Sequence, residues 1–205
     1  MPRTPITDAD HLREILGTPL PRVLAKDRDR LHPEHVAFIA ASPFCLVSTS
    51  ASDGTCDTSP KGDPAGFVHV VDDRTLALPE RPGNRRADGY LNVLENPHVG
   101  LLFMVPGRGD TLRVNGSATL LADAPYADSM VVKGHRPLIV CEVSVEQVFF
   151  HCAKAFLRSS LWDPESWAPD AVPSRAEIAH SLERPDDTVE ELEAYYGEQY
   201  AKHLY

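Results

Sequence analysis

Two polar loops carry the residues best suited to hold an anion. The first reads Ser-Pro-Lys-Gly-Asp over residues 59–63, and the second reads Arg-Pro-Gly-Asn-Arg-Arg-Ala-Asp over residues 81–88. A phosphate monoester carries nearly two negative charges, and arginine grips it through two parallel N–H groups while glycine lets backbone N–H groups approach. The second loop contains both arginine and glycine, and its composition therefore predicts a phosphate site. On composition alone, a charged turn in solvent remains the alternative.

Further cationic residues lie outside these loops. Arg113 alternates with apolar residues on a predicted strand, where it could face either a cleft or solvent. Lys154, Arg158 and Trp162 follow one another at intervals of four residues, which on a helix places them on one face. That face could close over an anion or a planar ring, or it could be a basic solvent-exposed surface with a half-buried tryptophan.

Common catalytic and nucleotide-binding signatures are missing from the sequence. Residues 107–109 come closest to a GxGxxG motif, but the third glycine is absent and a strand follows where a dinucleotide fold needs a helix. No residue is an obvious general base. His69 could exchange protons near neutral pH, although a structural histidine is the commoner case. Adjacent residues point apart, which argues against a catalytic pair of His151 and Cys152.

Charge and cysteine spacing restrict the class of protein. The 205 residues carry 20 basic and 30 acidic side chains, a formal net charge of −10 that disfavours nucleic acid and anionic membrane as partners. Four scattered cysteines without a CxxC pair, and the lack of HExxH, predict reduced thiols and no metal site. No apolar run approaches the roughly 20 residues that cross a bilayer, and no secretory leader is visible. We therefore expect a cytoplasmic protein.

The order of predicted elements indicates a mainly β fold with flanking helices. Helices are expected over residues 8–16 and from Pro33, and about six strands with short turns follow between residues 44 and 150. One or two acidic helices are expected over residues 175–205. Asn115-Gly116 lies inside a long predicted strand and could form either a tight hairpin or a β-bulge. Few helices separate the strands, which favours an antiparallel barrel.

Five sequence blocks occur in order: SPKGD, PGNRRAD, GLLFMVPG, LRVNG and CAKAFLRSSLW. In these blocks the chain resembles the pyridoxamine 5'-phosphate oxidase-like superfamily of FMN-binding split barrels, and especially a bacterial subgroup with SPxGD, PGNxRxD and LRVNG motifs. The resemblance implies an antiparallel split β-barrel that dimerises and holds one FMN in each of two clefts between subunits. The resemblance covers residues 33–167, where we expect the FMN-binding domain, and the helices predicted outside it give an N-terminal helical extension at residues 1–32 and a C-terminal helical extension at 168–205.

The resemblance further implies which residues contact the cofactor. Those lining the flavin or lying beside its ring would be Ser59, Pro60, Lys61, Leu78 and Pro79. Those holding the phosphate and ribityl chain would be Asn84 and Arg86, with Arg85 at a position where the subgroup tolerates other residues. A second group could reach the neighbouring subunit's flavin and consists of Arg113, Asn115, Lys154, Arg158 and Trp162. Lys61 would be either a source of positive charge favouring the anionic reduced flavin or a ligand of the phosphate.

The function implied by the resemblance is an FMN-dependent oxidoreductase acting on an unidentified small molecule. NADH, NADPH or dioxygen would be the other redox partner. The chain lacks a match to the carboxy-terminal substrate-binding segment of true pyridoxamine phosphate oxidases, so oxidation of vitamin B6 is not expected. One alternative is a non-catalytic flavin, haem or deazaflavin binding protein. Another is an interaction protein whose C-terminal helices act while the barrel is a scaffold.

Overall fold

A seven-stranded antiparallel sheet forms the centre of the molecule. The computed structural model describes residues 3–198, 200–202 and 204–205. The strands are β1 (Phe44–Ser50), β2 (Cys56–Gly62), β3 (His69–Asp72), β4 (Thr75–Pro79), β5 (His98–Met104), β6 (Thr111–Leu121) and β7 (Val140–His151). They lie in the order β2-β1-β5-β6-β7-β4-β3, and neighbouring strands pair antiparallel. Because β2 and β3 remain open edges, the sheet is not closed, and the predicted antiparallel split barrel is confirmed.

Helices flank the sheet at both ends of the chain and between strands. They are α1 (Ala9–Leu16), α2 (Pro21–Leu24), α3 (Pro33–Ala41), α4 (Asp88–Glu95), α5 (Lys154–Ser159), α6 (Arg175–Leu182) and α7 (Val189–Tyr196). Asp8 caps α1 by accepting a hydrogen bond of 2.8 Å from the His11 N–H, and Pro33 opens α3 as expected for a first-turn proline. None of the helices within the described residues is long and apolar enough to cross a bilayer.

The core lies on one face of the sheet. Alternate residues of the central strands point into it, and the fully buried side chains include Leu76, Leu101, Phe103, Leu112 and Val114. Burying each of these side chains contributes about 1.5–3 kcal/mol. The alternation fixes which residues of the same strands face outward, and it thereby fixes the side chains available to a ligand or a second subunit.

The Asn115-Gly116 pair belongs to a continuous strand and not to a hairpin. Asn115 pairs with Gln147 and Gly116 with Val145, so Glu146 is an extra residue on β7 and the irregularity is a β-bulge. A Cβ at Gly116 would lie 2.0 Å from the carbonyl oxygen of Ser144. The bulge brings the two backbones so close that only glycine fits, which explains the residue type.

The C-terminal helices form a small hairpin with its own core. Ala176, Ala179 and Leu192 are buried between α6 and α7. The expectation of one or two helices after residue 175 is confirmed, with α6 and α7 ending at Tyr196 and a 3₁₀ turn over Tyr200–Lys202. Further along, the Tyr205 hydroxyl donates a hydrogen bond to Asp63, 142 residues away in sequence.

The boundaries of the predicted domains stay predictions. The segment before residue 33 contains α1 and α2, and the segment after residue 167 contains α6 and α7. Of the predicted extensions, residues 1–2, 199 and 203 lie outside the described part of the chain.

Candidate functional site

A cavity of 690 Å³ lies where the end of β4, the loop of residues 81–88 and the start of α4 meet the sheet. This volume is within the range of about 300–1,000 Å³ usual for small-molecule sites. The lining residues are Val47, Thr49, Asp57, Ser59, Lys61, Glu80, Arg81, Pro82, Gly83, Asn84, Arg85, Arg86, Ala87, Asp88, Gly89, Tyr90, Val93, Leu138, Ile139 and Cys141. The two polar segments singled out in the sequence therefore face one space, but residues 59–62 of the first belong to strand β2, so the prediction of a loop there is wrong.

β2 presents alternate side chains to this cavity. Asp57, Ser59 and Lys61 are half-buried and line it, whereas Thr58 and Pro60 between them are exposed on the opposite face. The Ser59 hydroxyl donates a hydrogen bond of 2.9 Å to Asp57. The strand thus supplies a carboxylate, a hydroxyl and an ammonium group in a row.

Lys61 forms a hydrogen-bonded cluster with Glu80 and Tyr90. The Lys61 Nζ lies 2.6 Å from Glu80 Oε2, and the Tyr90 hydroxyl donates to the same oxygen across 2.5 Å. The Lys61 ammonium also lies 4.7 Å from the centre of the Tyr90 ring, within cation–π range. Burial, and secondarily the hydrogen bond to Glu80, raises the pKa of Tyr90, so the phenol stays protonated.

Sequence reasoning missed Glu80 and Tyr90. Glu80 directly follows β4 and Tyr90 lies in the first turn of α4, so the fold brings both to the wall facing Lys61. A single glutamate and a single tyrosine have no periodicity that marks them as site residues. The position of Glu80 between a predicted strand and a cationic loop was the available signal.

Cys45 and Cys141 are neutral thiols close to this cluster. Burial raises the pKa of each to about 12, and the Lys61 charge offsets only part of that effect. Both are free and buried, and Cys141 lines the cavity. At neutral pH they are weak hydrogen-bonding groups and not nucleophiles.

Arg81 fixes the start of the second loop to the barrel. Its Nε lies 2.7 Å from Asp63 Oδ2, with 12% of the arginine side chain and 1% of the aspartate side chain exposed. The guanidinium also donates to the carbonyl oxygens of Met130 at 2.7 Å and His135 at 3.1 Å. Arg81 is therefore a structural anchor, although it lines the cavity.

The remainder of the loop has an unusual backbone. Arg85 and Ala87 have positive φ angles of 61° and 57°, a left-handed conformation that is uncommon for residues other than glycine. Asn84 accepts a hydrogen bond of 3.1 Å from the Arg86 N–H, and Ala87 gives α4 no side-chain cap. Left-handed residues in a turn direct neighbouring N–H groups toward a concave surface that suits anions. Arg86 pairs with Asp88 at 2.8 Å and is largely exposed.

Three predicted site residues lie beside or below this cavity. Pro60 and Pro79 line an adjoining cavity of 310 Å³ that shares Ser59 and Lys61 with the larger one. Leu78 has only 2% of its surface exposed and packs in the core. In this chain Leu78 does not line either space.

Arg113 and Asn115 lie on the outer face of the sheet. The Arg113 guanidinium stacks 4.4 Å from the Phe149 ring, and its buried Nε finds no hydrogen-bond partner among the described residues. Asn115 donates to Gln147 across 2.7 Å and lines a separate cavity of 360 Å³. The fold does not bring either residue to the 690 Å³ cavity within one chain.

The prediction that one helix face carries Lys154, Arg158 and Trp162 holds for Lys154 and Arg158 in α5 and is wrong for Trp162. α5 ends at Ser159, and Ser160 is left-handed with a φ of 51°, so Trp162 lies beyond the helix. Its indole N–H instead donates to the Arg108 carbonyl across 2.7 Å. The run of serines after Arg158 is a weak helix former, which explains the early end.

His69 also lies away from the cavity. Its ring stacks on Tyr126 with 5.2 Å between centroids, and it is not among the residues that line the cavity. This aromatic contact fits a structural histidine better than one that exchanges protons with a ligand in the cavity.

A family model described as pyridoxamine 5'-phosphate oxidase matches residues 31–152, which include all seven strands. No curated protein matches the chain. Among solved structures, HupZ of Group A Streptococcus is 19% identical with a TM-score of 0.48, and the match covers 58% of this chain and 93% of that one. A candidate pyridoxamine 5'-phosphate oxidase from Lactobacillus delbrueckii is 25% identical with a TM-score of 0.46, covering 60% and 95%. An FMN-binding protein from Syntrophomonas wolfei is 16% identical with a TM-score of 0.42, covering 56% and 80%.

Proposed function

The chain belongs to the pyridoxamine 5'-phosphate oxidase family, and we propose that it binds FMN in the 690 Å³ cavity and acts as an FMN-dependent oxidoreductase on a small molecule. One observation carries this proposal. Ser59 and Lys61 on β2 line the same cavity as Asn84, Arg85 and Arg86, more than 20 positions further along the chain. A hydroxyl, an ammonium group and two guanidinium groups thus surround one ligand-sized space.

The chemistry of the lining suits the three parts of FMN. Arg85 and Arg86, on a loop with left-handed residues, match a phosphate monoester. The carboxylate of Asp57 and the amide of Asn84 can accept hydrogen bonds from the hydroxyls of a ribityl chain. An apolar wall suits a planar ring and consists of Val47, Val93, Leu138 and Ile139.

Bound FMN would supply two-electron redox chemistry that amino-acid side chains lack. The chain itself would bind and orient the cofactor, and the apolar wall would keep water from one side of it. Tyr90 would hold its proton on the hydroxyl oxygen, because burial and Glu80 raise its pKa. NADH, NADPH or dioxygen remain the candidate redox partners.

A homodimer is part of the proposal, and the outer face of the sheet supports it. Leu46, Leu102, Arg113 and Phe149 are register neighbours across β1, β5, β6 and β7 on that face. Leu46 and Leu102 are only partly buried, and the Arg113 Nε is buried without a partner in the described part of the chain. A second copy would cover the leucines and could supply an acceptor to the arginine.

Haem is a less suitable ligand for this cavity than a flavin. Haem iron needs an axial ligand, and no histidine is among the described residues that line the cavity. Cys141 is there, but its raised pKa of about 12 disfavours the thiolate that iron would require. These observations favour FMN over the haem alternative.

The absorption spectrum of the purified protein, before and after anaerobic addition of NADH or NADPH, tests the proposal. We expect the two broad bands of a flavin and their loss on reduction. A colourless protein that also leaves the fluorescence of added FMN unchanged would contradict the cofactor assignment. If the protein shows a flavin spectrum but neither NADH, NADPH nor any candidate substrate reduces the flavin, the proposed FMN binding holds and the proposed enzymatic activity is contradicted.

A further inference from the structure

The charge of Lys61 is already balanced within the cavity. Its ammonium lies 2.6 Å from Glu80 Oε2, and only 19% and 25% of the two side chains are exposed. At this distance and degree of burial the pair is screened less than a surface ion pair, so the two charges act on a ligand nearly as a dipole. Family resemblance alone would assign Lys61 a free positive charge.

Tyr90 holds the carboxylate in this position. Its hydroxyl donates to the oxygen that receives Lys61, and its ring lies 4.7 Å from the ammonium. Rotation of Glu80 away from Lys61 would break both hydrogen bonds to Oε2. The three side chains therefore form one unit with no net charge.

The other cation at the start of the loop is compensated as well. Arg81 pairs with Asp63 at 2.7 Å in a nearly buried contact. The cavity-lining arginines that remain are Arg85 and Arg86, and Arg86 shares its charge with the carboxylates of Asp88 and Asp57. The loop is suited to the phosphate, and the Lys61 cluster offers a neutral polar surface.

We propose that Glu80 is a positioning residue that cancels the charge of Lys61 and so sets the reduction potential of the flavin. This inference rests on the proposed function. When FMN takes up two electrons and one proton, the reduced ring carries one additional negative charge. A free Lys61 would stabilise that charge, whereas the Lys61–Glu80 pair stabilises it far less.

Four variants separate the pair from its members: Glu80→Gln, Lys61→Met, the double variant, and Tyr90→Phe. For each, the midpoint potential of bound FMN is measured by titration with dithionite, the electron donor, against a reference dye. Glu80→Gln should bind reduced FMN about tenfold more tightly relative to oxidised FMN, which raises the potential. Lys61→Met should lower the potential, and the double variant should return it close to that of the unmodified protein. Tyr90→Phe preserves every charge and should cause the smallest shift of the single variants.

The results distinguish failure of this inference from failure of the proposed function. If the unmodified protein does not quench FMN fluorescence, the proposed function fails and this inference fails with it. If FMN binds but Glu80→Gln leaves the potential unchanged, Lys61 is not compensated by Glu80 and only the inference is overturned. Should Lys61→Met not fold, as judged by circular dichroism, Glu80→Gln and the neutral double variant still decide the question.

Discussion

Asp63 and Arg81 form a nearly buried ion pair, with 2.7 Å between Asp63 Oδ2 and Arg81 Nε. Asp63 directly follows β2 and Arg81 is the first residue of the cationic loop, so the pair joins these two segments. The Arg81 guanidinium also donates hydrogen bonds to the carbonyl oxygens of Met130 and His135, which connects the loop to the segment before β7. The position of the candidate phosphate loop therefore depends on a contact in the barrel wall.

Asp63→Asn should lower the free energy of unfolding by about 3 kcal/mol, because it leaves the Arg81 charge buried without its counter-ion. Denaturant unfolding followed by circular dichroism measures this. The control is Asp73→Asn, since Asp73 pairs with Arg30 at 3.5 Å in an exposed contact. We expect a change within about 0.5 kcal/mol there, and equal effects of the two variants would contradict the assigned role of Asp63.

Arg86→Ala should weaken FMN binding by about 2 kcal/mol, roughly 30-fold in Kd, through loss of a charge-assisted contact to phosphate. Fluorescence titration with FMN and with riboflavin measures this, and riboflavin affinity should change little because it has no phosphate. Arg108→Ala is a matched control, because Arg108 pairs with Asp110 as Arg86 pairs with Asp88 but lies outside the cavity. Unchanged FMN affinity in folded Arg86→Ala protein would show the assignment to be wrong.

Gly116→Ala should destabilise the protein by about 3 kcal/mol, because its Cβ would lie 2.0 Å from the Ser144 carbonyl oxygen and the bulge would have to rearrange. The midpoint of urea unfolding measures this. Gly83→Ala provides the control, since the nearest heavy atom to a Cβ there is 4.0 Å away. A Gly116→Ala protein as stable as the control would contradict the bulge geometry.

Cys152 should react with iodoacetamide far faster than Cys45 or Cys141. Hydrogen bonding to the Lys154 backbone lowers the pKa of Cys152, so its thiolate is present at a lower pH than for an ordinary thiol. Burial raises the pKa of the other two to about 12. Mass spectrometry of the protein alkylated at pH 7 and pH 8 gives the order, and early labelling of Cys141 would contradict its buried, protonated state.

Leu102→Glu should convert the proposed dimer into monomers, because it places a charge in the middle of the outer sheet face. Light scattering coupled to size-exclusion chromatography measures the mass. Leu182→Glu serves as a control, since Leu182 is 79% exposed at the end of α6 and does not belong to the sheet. If Leu102→Glu remains a dimer, the interface lies elsewhere; if the unmodified protein is a monomer, the dimer proposal is wrong.

Much of the fold could be predicted because its signals are local. Helix α3 begins at Pro33 as a first-turn proline predicts, and Asp8 caps α1 as its residue type suggests. Asn115-Gly116 could not be resolved from sequence, because the choice between hairpin and bulge depends on the neighbouring strand. The bulge residue, Glu146, lies on β7 and has no local marker.

The site was only partly predictable because its contacts are long-range. Ser59 and Arg86 were found through motif composition, whereas Glu80 acquires its role only when folding places Lys61 and Tyr90 against it. Leu78 was assigned beside the ring, whereas it is buried in the core together with its neighbours in β4, all of which except Thr75 are buried. Trp162 was placed by helical spacing that holds only while the helix continues.

Pro60 lies within β2, which is an edge strand of the sheet. Proline has no amide hydrogen, so β2 lacks one of the donors that an additional strand would need. Pro60, within the block that resembles a flavin-binding motif, therefore also protects the open edge of the barrel against aggregation, and Pro60→Val would remove this protection as well as alter the wall of the 310 Å³ cavity.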